Sequence, residues 1–171
     1  MIALSGTPTL TTERLVLRAP VAGDWPHWRA FFSSERARFV NGGHPENAWR
    51  AFGHFMGHWV LRGFGSFVLT RADDPRPLGA AGPWHPEGWP EPEIGWSLWS
   101  AEAEGQGYAA EAARACLAHA RDALGWPAAV SYIDPENAAS IALATRLGAR
   151  HDPTAQAPFQ GDLVYRHWGP A

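Results

Sequence analysis

The spacing of apolar and polar positions changes several times along this chain, and each change marks an element. Leu15, Val16 and Leu17, between Arg14 and Arg18, predict a first strand. Asp24 stands where it can cap a helix whose apolar stripe is Trp28, Phe31 and Phe32. A second amphipathic helix carries Trp49, Phe52, Met56 and Trp59 at three- to four-residue spacing. From Ser66 the period shortens, and residues 67–70 and 78–82 read as the strands of a hairpin turned by Asp73-Asp74-Pro75. A loop rich in proline and tryptophan covers residues 83–92, and residues 93–99 form the next strand. Residues 109–124 read as a helix with Ala109, Ala112, Ala113, Cys116 and Ala120 along one side, small enough for close packing on a sheet. Residues 128–133 predict another strand, Asp134-Pro135 the start of a helix that Gly148 stops, and residues 163–167 the last strand. This order implies a mixed sheet with helices on its faces, an α/β architecture or its α+β neighbour. With no internal repeat or long linker, residues 1–9 are expected to be a loose tail and residues 10–171 a single domain.

Composition narrows the function classes. A chain of 171 residues fits one domain, and folding at that size buries roughly 70% of the surface the unfolded chain exposes. Hydrophobic residues at 46% and charged residues at 18% exclude a disordered or low-complexity polymer. No run of 18 apolar residues is present, and residues 1–10 lack a basic start followed by an apolar core, so neither a membrane span nor a secretion signal is read and a cytoplasmic location is expected. The lone Cys116 cannot form an intramolecular disulfide or supply a multi-cysteine metal site. A net charge of −3 argues against a nucleic-acid or anionic-membrane binder. All 14 basic residues are arginine, which excludes Schiff-base chemistry and the lysine-dependent Walker phosphate loop.

The segment richest in chemistry is Glu104-Gly105-Gln106-Gly107-Tyr108-Ala109-Ala110-Glu111, between a strand and a helix. Two glycines let the backbone turn so that successive N–H groups at a helix N-terminus converge on an anion, as a pyrophosphate cradle requires. An ordinary glycine-rich connection has the same short pattern. His54 and His58 share a helix face, but Phe55 stands where a zinc-protease motif needs glutamate and no third ligand is evident, so no metal is expected. Cys116 reads as packing rather than as a nucleophile, and no G-x-S-x-G elbow is present.

With these landmarks in order, the chain resembles the GNAT superfamily of acyl-CoA-dependent N-acetyltransferases, and within it the branch that acetylates ribosomal-protein N-termini. Residues 10–18 (LTTERLVLR) are similar to that branch's opening, and residues 93–98 (EIGWSL) to its fourth strand. Gly105-Gln106-Gly107-Tyr108-Ala109 resembles its CoA pyrophosphate loop, and Asp134-Pro135-Glu136-Asn137 with Ser140 and Arg146-Leu147-Gly148-Ala149 its penultimate helix. The resemblance implies the GNAT fold, acetyl-CoA as acetyl donor without a metal, and an amide product. It implies cofactor contacts from residues 105–110, from the backbone of Leu98 and Trp99 where the strand splays, and from Asn137. Glu93 is the implied base, although a solvated strand-end carboxylate is the equal alternative. Ser140 is placed to donate a proton to the leaving sulfur, and capping of the helix start is the other use of Asn137 and Ser140.

Two positions depart from the pattern. Glu104 stands where many members have arginine or glutamine and is expected to point to solvent, and Ala144 stands where many have a tyrosine acid. Between Arg76 and Arg114 lie Glu87, Glu91, Glu93, Glu102, Glu104 and Glu111 with no arginine, a run expected to attract a cationic acceptor. Trp84 and Trp89 are the expected aromatic walls of the acceptor site, Trp96 and Trp99 serving either there or in the core. The expected function is acetyl transfer to a primary amine, on a protein N-terminus or a small molecule, by direct attack in a ternary complex. The alternative is a non-catalytic acyl-CoA-binding module. Neither nucleic acid nor membrane is an expected partner, and the assembly is expected to be a monomer or homodimer.

Overall fold

The computed structural model describes residues 4–40 and 42–170. In chain order its elements are β1 (Leu10–Thr11), β2 (Leu15–Arg18), α1 (Trp25–Phe32), α2 (Pro45–Arg62), β3 (Phe67–Arg71), β4 (Gly79–Trp84), β5 (Glu93–Leu98), α3 (Tyr108–Asp122), β6 (Ala129–Ile133), α4 (Ala138–Arg146), β7 (Arg150–His151) and β8 (Leu163–Trp168). The strands form one mixed eight-stranded sheet in the order β1-β2-β3-β4-β5-β6-β8-β7, flanked by helices. All neighbours pair antiparallel except β5 and β6.

Strand alternation divides the core between two faces. Phe67 and Leu69 join Leu15, Leu17 and the small-residue side of α3, where Ala112, Cys116 and Ala120 let the helix lie close to the sheet. Val68 and Ala80 point the other way, into an aromatic cluster of Trp28, Phe31, Phe55 and Trp99 beneath α1 and α2. Covered on both faces, β3 reads as a continuous apolar run rather than an alternating one. Leu4, within the segment expected to be loose, packs against the α3-side core, while residues 1–3 lie outside the described residues. No helix among the described residues is long and apolar enough to cross a membrane.

Several local expectations are corrected. Asp24 occupies the α1 N-cap position without capping. Its buried carboxylate instead takes both Arg18 guanidinium nitrogens, at 2.8 and 2.7 Å, and the Val21 N–H at 2.8 Å. Asp134-Pro135 does not open α4. Asp134 Oδ1 accepts the Glu136 N–H at 2.7 Å, a local turn that competes with helix. The helix starts after Asn137, whose Oδ1 accepts the Ser140 N–H at 3.1 Å. Trp49, placed on the buried stripe of α2, is 63% exposed; the face that packs runs Ala48, Phe52, Phe55 and Trp59. β4 continues through Pro83 to Trp84, into the segment expected to be loop.

β5 and β6 run parallel but register only at Glu93 and Val130, after which they diverge. The Val130 N–H reaches Pro92 O at 3.0 Å, and the Ser131 hydroxyl donates to Ile94 O at 2.6 Å as the last tie before the gap. Ser131 Oγ also lies 3.0 Å from His167 Nε2, while His167 Nδ1 is buried without a partner. Ser131→Ala removes both contacts and leaves His167 wholly unpaired, so a loss of roughly 1–3 kcal/mol is expected from urea denaturation, while Ser131→Thr, which keeps the hydroxyl, recovers most of it.

Candidate active site

Beyond the Ser131 tie, alternation along β5 decides which backbone groups face the gap. The Trp99 N–H is spent on Leu78 O at 2.8 Å, toward β4. Residues 97, 95 and 93 therefore share that side, and Ile94, Trp96 and Leu98 turn their N–H and C=O groups toward β6. This corrects the placement of Trp99 at the cofactor: its indole sits in the aromatic core with Trp28 and Phe31, and its Nε1–H donates to Ser97 Oγ at 3.2 Å. The backbone of Leu98 faces the gap, as does that of Trp96, which was not singled out from the sequence. The Leu98 carbonyl accepts from Arg36 Nη2 at 3.3 Å.

At the far end of β5 the chain turns into α3 through Gly105 and Gly107, both with left-handed φ, 71° and 80°. Gly107 is the α3 N-cap and has no side chain to satisfy the first amides. The N–H groups of Tyr108, Ala109 and Ala110 are therefore directed outward at the positive end of the helix dipole, a site suited to a pyrophosphate. Arg14 braces the turn from outside: its Nη1 donates to Gln106 O at 2.9 Å, its guanidinium lies 4.8 Å from the Tyr108 ring centroid, and it pairs with Glu111 at 2.6 Å. Glu104 is exposed, as expected, and it also pairs with Arg36 at 2.7 Å.

Between the diverging strands lies a cavity of about 380 Å³ that brings together Trp89, Glu93, Asn137 and Ser140. Trp84 stands apart from this lining, its ring stacked on His58 with centroids 4.3 Å apart. His58 Nδ1–H donates to Phe64 O at 2.7 Å and its Nε2 accepts the His85 N–H at 3.1 Å, so both ring nitrogens are spent on backbone. The acidic run is largely neutralised. Glu87 pairs with Arg62, Glu91 with Arg166, Glu104 with Arg36 and Glu111 with Arg14. Of the six carboxylates, Glu93 and Glu102 have no salt-bridge partner among the described residues; Glu102 is exposed away from the cavity, and Glu93 lines it together with Asp134 and Asp162.

Glu93 is the unusual carboxylate. Burial pushes its pKa up to about 7, against the opposing effect of the Trp89 indole, which donates Nε1–H to Oε2 at 2.7 Å, and of the Tyr132 backbone; the Asp162 charge raises it further. Ser140 Oγ accepts the Trp96 Nε1–H at 3.2 Å, which leaves the hydroxyl proton free to donate into the cavity. Asn137 spends its side-chain oxygen on the cap and retains its amide NH₂. Ala144 is fully buried against Ile133 and Ala149, so the tyrosine-type acid has no counterpart there. Phe159 and Asp162, just before β8, also line the cavity; their chain positions gave no local signal.

This geometry, a parallel pair that splays beside a glycine-turned helix N-terminus, defines an acyl-CoA-dependent transferase. The family description "Acetyltransferase (GNAT) domain" matches residues 14–150. The chain is 38% identical to an acetyltransferase from Agrobacterium tumefaciens str. C58 over 97% of both chains, with a TM-score of 0.89. A protein from Bordetella pertussis assigned to the GnaT family of acetyltransferases is 28% identical, covers 93% of this chain and 97% of its own, and superposes with a TM-score of 0.75. RimL, a ribosomal L7/L12 alpha-N-protein acetyltransferase solved with coenzyme A, shares the fold at 16% identity, 93% and 96% coverage and a TM-score of 0.72. No curated protein sequence matches the chain. The chain belongs to the GNAT acetyltransferase family and is an acetyl-CoA-dependent acyltransferase.

Because the pKa of Glu93 is raised on folding, the folded state holds its proton more tightly than the unfolded chain. The associated stability is full below about pH 4.5, where the unfolded carboxyl titrates, and is lost as pH rises through about 7. Glu93→Gln is therefore expected to be more stable than the parent by roughly 1–3 kcal/mol at pH 8.5, with a smaller difference at pH 5, as read by urea denaturation at the two pH values.

Proposed function

We propose that the acetyl group passes to a primary amine, on a protein N-terminus or a small molecule, by direct attack within a ternary complex. The observation that carries this reading is Glu93: a carboxylate at the start of the splay, half-protonated near neutral pH and held by an indole N–H rather than by a cation. Such a group can take the proton of an ammonium acceptor, which an ordinary carboxylate is too weakly basic to do efficiently.

Bound acetyl-CoA supplies the thioester carbonyl that the amine attacks. The α3 amides behind Gly107 hold the pyrophosphate, the Leu98 backbone and the Asn137 amide face the pantetheine arm, and the Trp96 N–H is directed toward the thioester oxygen. Glu93 takes the ammonium proton and passes it to solvent. The amine lone pair then forms the new C–N bond, the C–S bond breaks with its electrons on sulfur, and the remaining surplus proton on nitrogen goes to Glu93. The Ser140 hydroxyl relays a proton from water to the thiolate and is itself reprotonated by that water. Direct attack is favoured over a cysteinyl intermediate because Cys116 is fully buried in the α3 core, with its thiol pKa pushed well up by burial. The amine-directed activity of the RimL neighbour supports an N-terminus as one acceptor.

Acetyl-CoA turnover with an amine panel, followed by thiol release, is the test. The rate should rise with pH through an inflection near 7, as Glu93 ionises. Glu93→Gln should lower kcat by about 100-fold and abolish that inflection while leaving KM for acetyl-CoA near the parent value. Trp89→Phe removes a bond that favours the carboxylate and should move the inflection to higher pH. A Glu93→Gln variant with the parent's rate and pH profile would falsify the assignment. Gly107→Val, forced into the left-handed region at φ 80°, should raise KM for acetyl-CoA instead.

A further inference from the structure

We propose that Arg38 reads a carboxylate on the acceptor, so that the amine delivered to Glu93 belongs to a molecule with an anionic group a few bonds from the nitrogen. The inference rests on the amine-transfer reading above and narrows it to dipolar acceptors. Arg38 projects from the turn before α2 and lines the same cavity as Glu93, Asp134 and Asp162. It is the one arginine in that lining among the described residues.

The other arginines around the site are already paired. Arg36 is held by Glu104 and the Leu98 carbonyl, and Arg166 by Glu91 at 2.6 and 2.9 Å and by Asp152 at 2.8 Å. Arg38 has no carboxylate partner among the described residues. Its protein contact is a 3.5 Å approach of Nη1 to Glu35 O, at the long limit of a hydrogen bond. The Phe39 ring lies 4.3 Å from its guanidinium carbon, which steadies the group laterally while leaving its N–H edges free. A planar fork of unspent donors is the group that recognises a carboxylate through two parallel bonds.

Arg38 is exposed where it lines the cavity, so its donors are open to an acceptor arriving from solvent, and a carboxylate there gains a charge-assisted, two-bond contact that a neutral group does not. The opposite sign is provided by Asp162 and Glu93, which favour the ammonium end. A cavity of about 380 Å³ must also hold the acetyl end of the donor, which leaves little room and keeps the two charged ends of the acceptor close together.

Two matched pairs of acceptors separate a chain terminus from a free small molecule: alanyl-aspartate amide against alanyl-asparagine amide, and 4-aminobutyrate against 4-aminobutanamide. In at least one pair kcat/KM should favour the carboxylate by roughly tenfold or more; Arg38→Gln should bring that ratio close to one and Arg38→Lys should restore part of it. Equal use of both members in both pairs, or an unchanged ratio in Arg38→Gln, overturns the proposal while leaving amine transfer standing. If no amine is acetylated, the transfer reading fails on its own, and Arg38 is then judged by binding to the coenzyme A complex through tryptophan fluorescence. Saturable quenching by either carboxylate probe that Arg38→Gln weakens by roughly tenfold supports the proposal, and binding insensitive to the substitution overturns it.

Discussion

β5 and β6 lie side by side, run the same way and yet share register at a single pair, Glu93 with Val130. A sheet that stops pairing in its middle leaves backbone donors and acceptors facing a gap, and such groups are costly unless something satisfies them. The gap persists because each arm belongs to a different antiparallel unit. β5 is zipped along its length to β4, so tightly that a Cβ on Gly79 would come within 2.2 Å of the Ser97 carbonyl. β6 is committed to β8 from Ala129 to Ile133. Ser131 marks where the arms part, and beyond it the backbone groups of Trp96 and the N–H of Leu98 face the gap, while the Leu98 carbonyl is taken by Arg36; such groups suit a ligand that offers its own amides.

Charge is distributed around this gap by arginine alone. Each fork ties a loop to a distant element: Arg14 joins the β1–β2 turn to α3, Arg36 joins the turn after α1 to the end of β5, and Arg166 joins β8 to Glu91 and to the buried Asp152. Arg166 grips Glu91 through two parallel bonds, which makes that tie directional in a way an ammonium would not. They also neutralise most of the acidic residues near the site, so the field inside the cavity is set by the few charges left over.

Much of the architecture was legible because period and turn chemistry agreed. The α3 helix shows its packing face in Ala112, Cys116 and Ala120, and its start in Gly105 and Gly107; no tertiary knowledge is needed to see either. Glu93, Asn137 and Ser140 were singled out because they sit in short stretches that resemble family motifs, and the fold brings all three to one cavity; their sequence left two uses open for each, and Asn137 does cap α4. The candidate site was illegible where function depends on partners far apart in sequence. Glu104 looked free because Arg36, 68 positions away, is invisible to local pattern. Trp99 looked like a cofactor contact because the strand direction in which its amide points depends on Leu78. Trp49 and Trp84 show the same limit: an aromatic residue reports that it must pack, and the third dimension decides against what. β1 and β7 are two residues each, too short for any periodicity to show.

The separation of roles between Glu91 and Glu93 shows how little sequence distance is needed to set two carboxylates apart. Both are only partly exposed and lie on either side of Pro92, yet Glu91 receives the Arg166 fork while Glu93 receives the Trp89 indole. An arginine stabilises a carboxylate by its full charge and would hold Glu93 ionised but weakly basic. An indole N–H offers direction with only a dipole, enough to fix the oxygen and too little to cancel the effect of burial. The proton affinity near neutrality therefore follows from which neighbour is denied a cation, and the network that engages Arg166 elsewhere is as much a part of the candidate base as Glu93 itself.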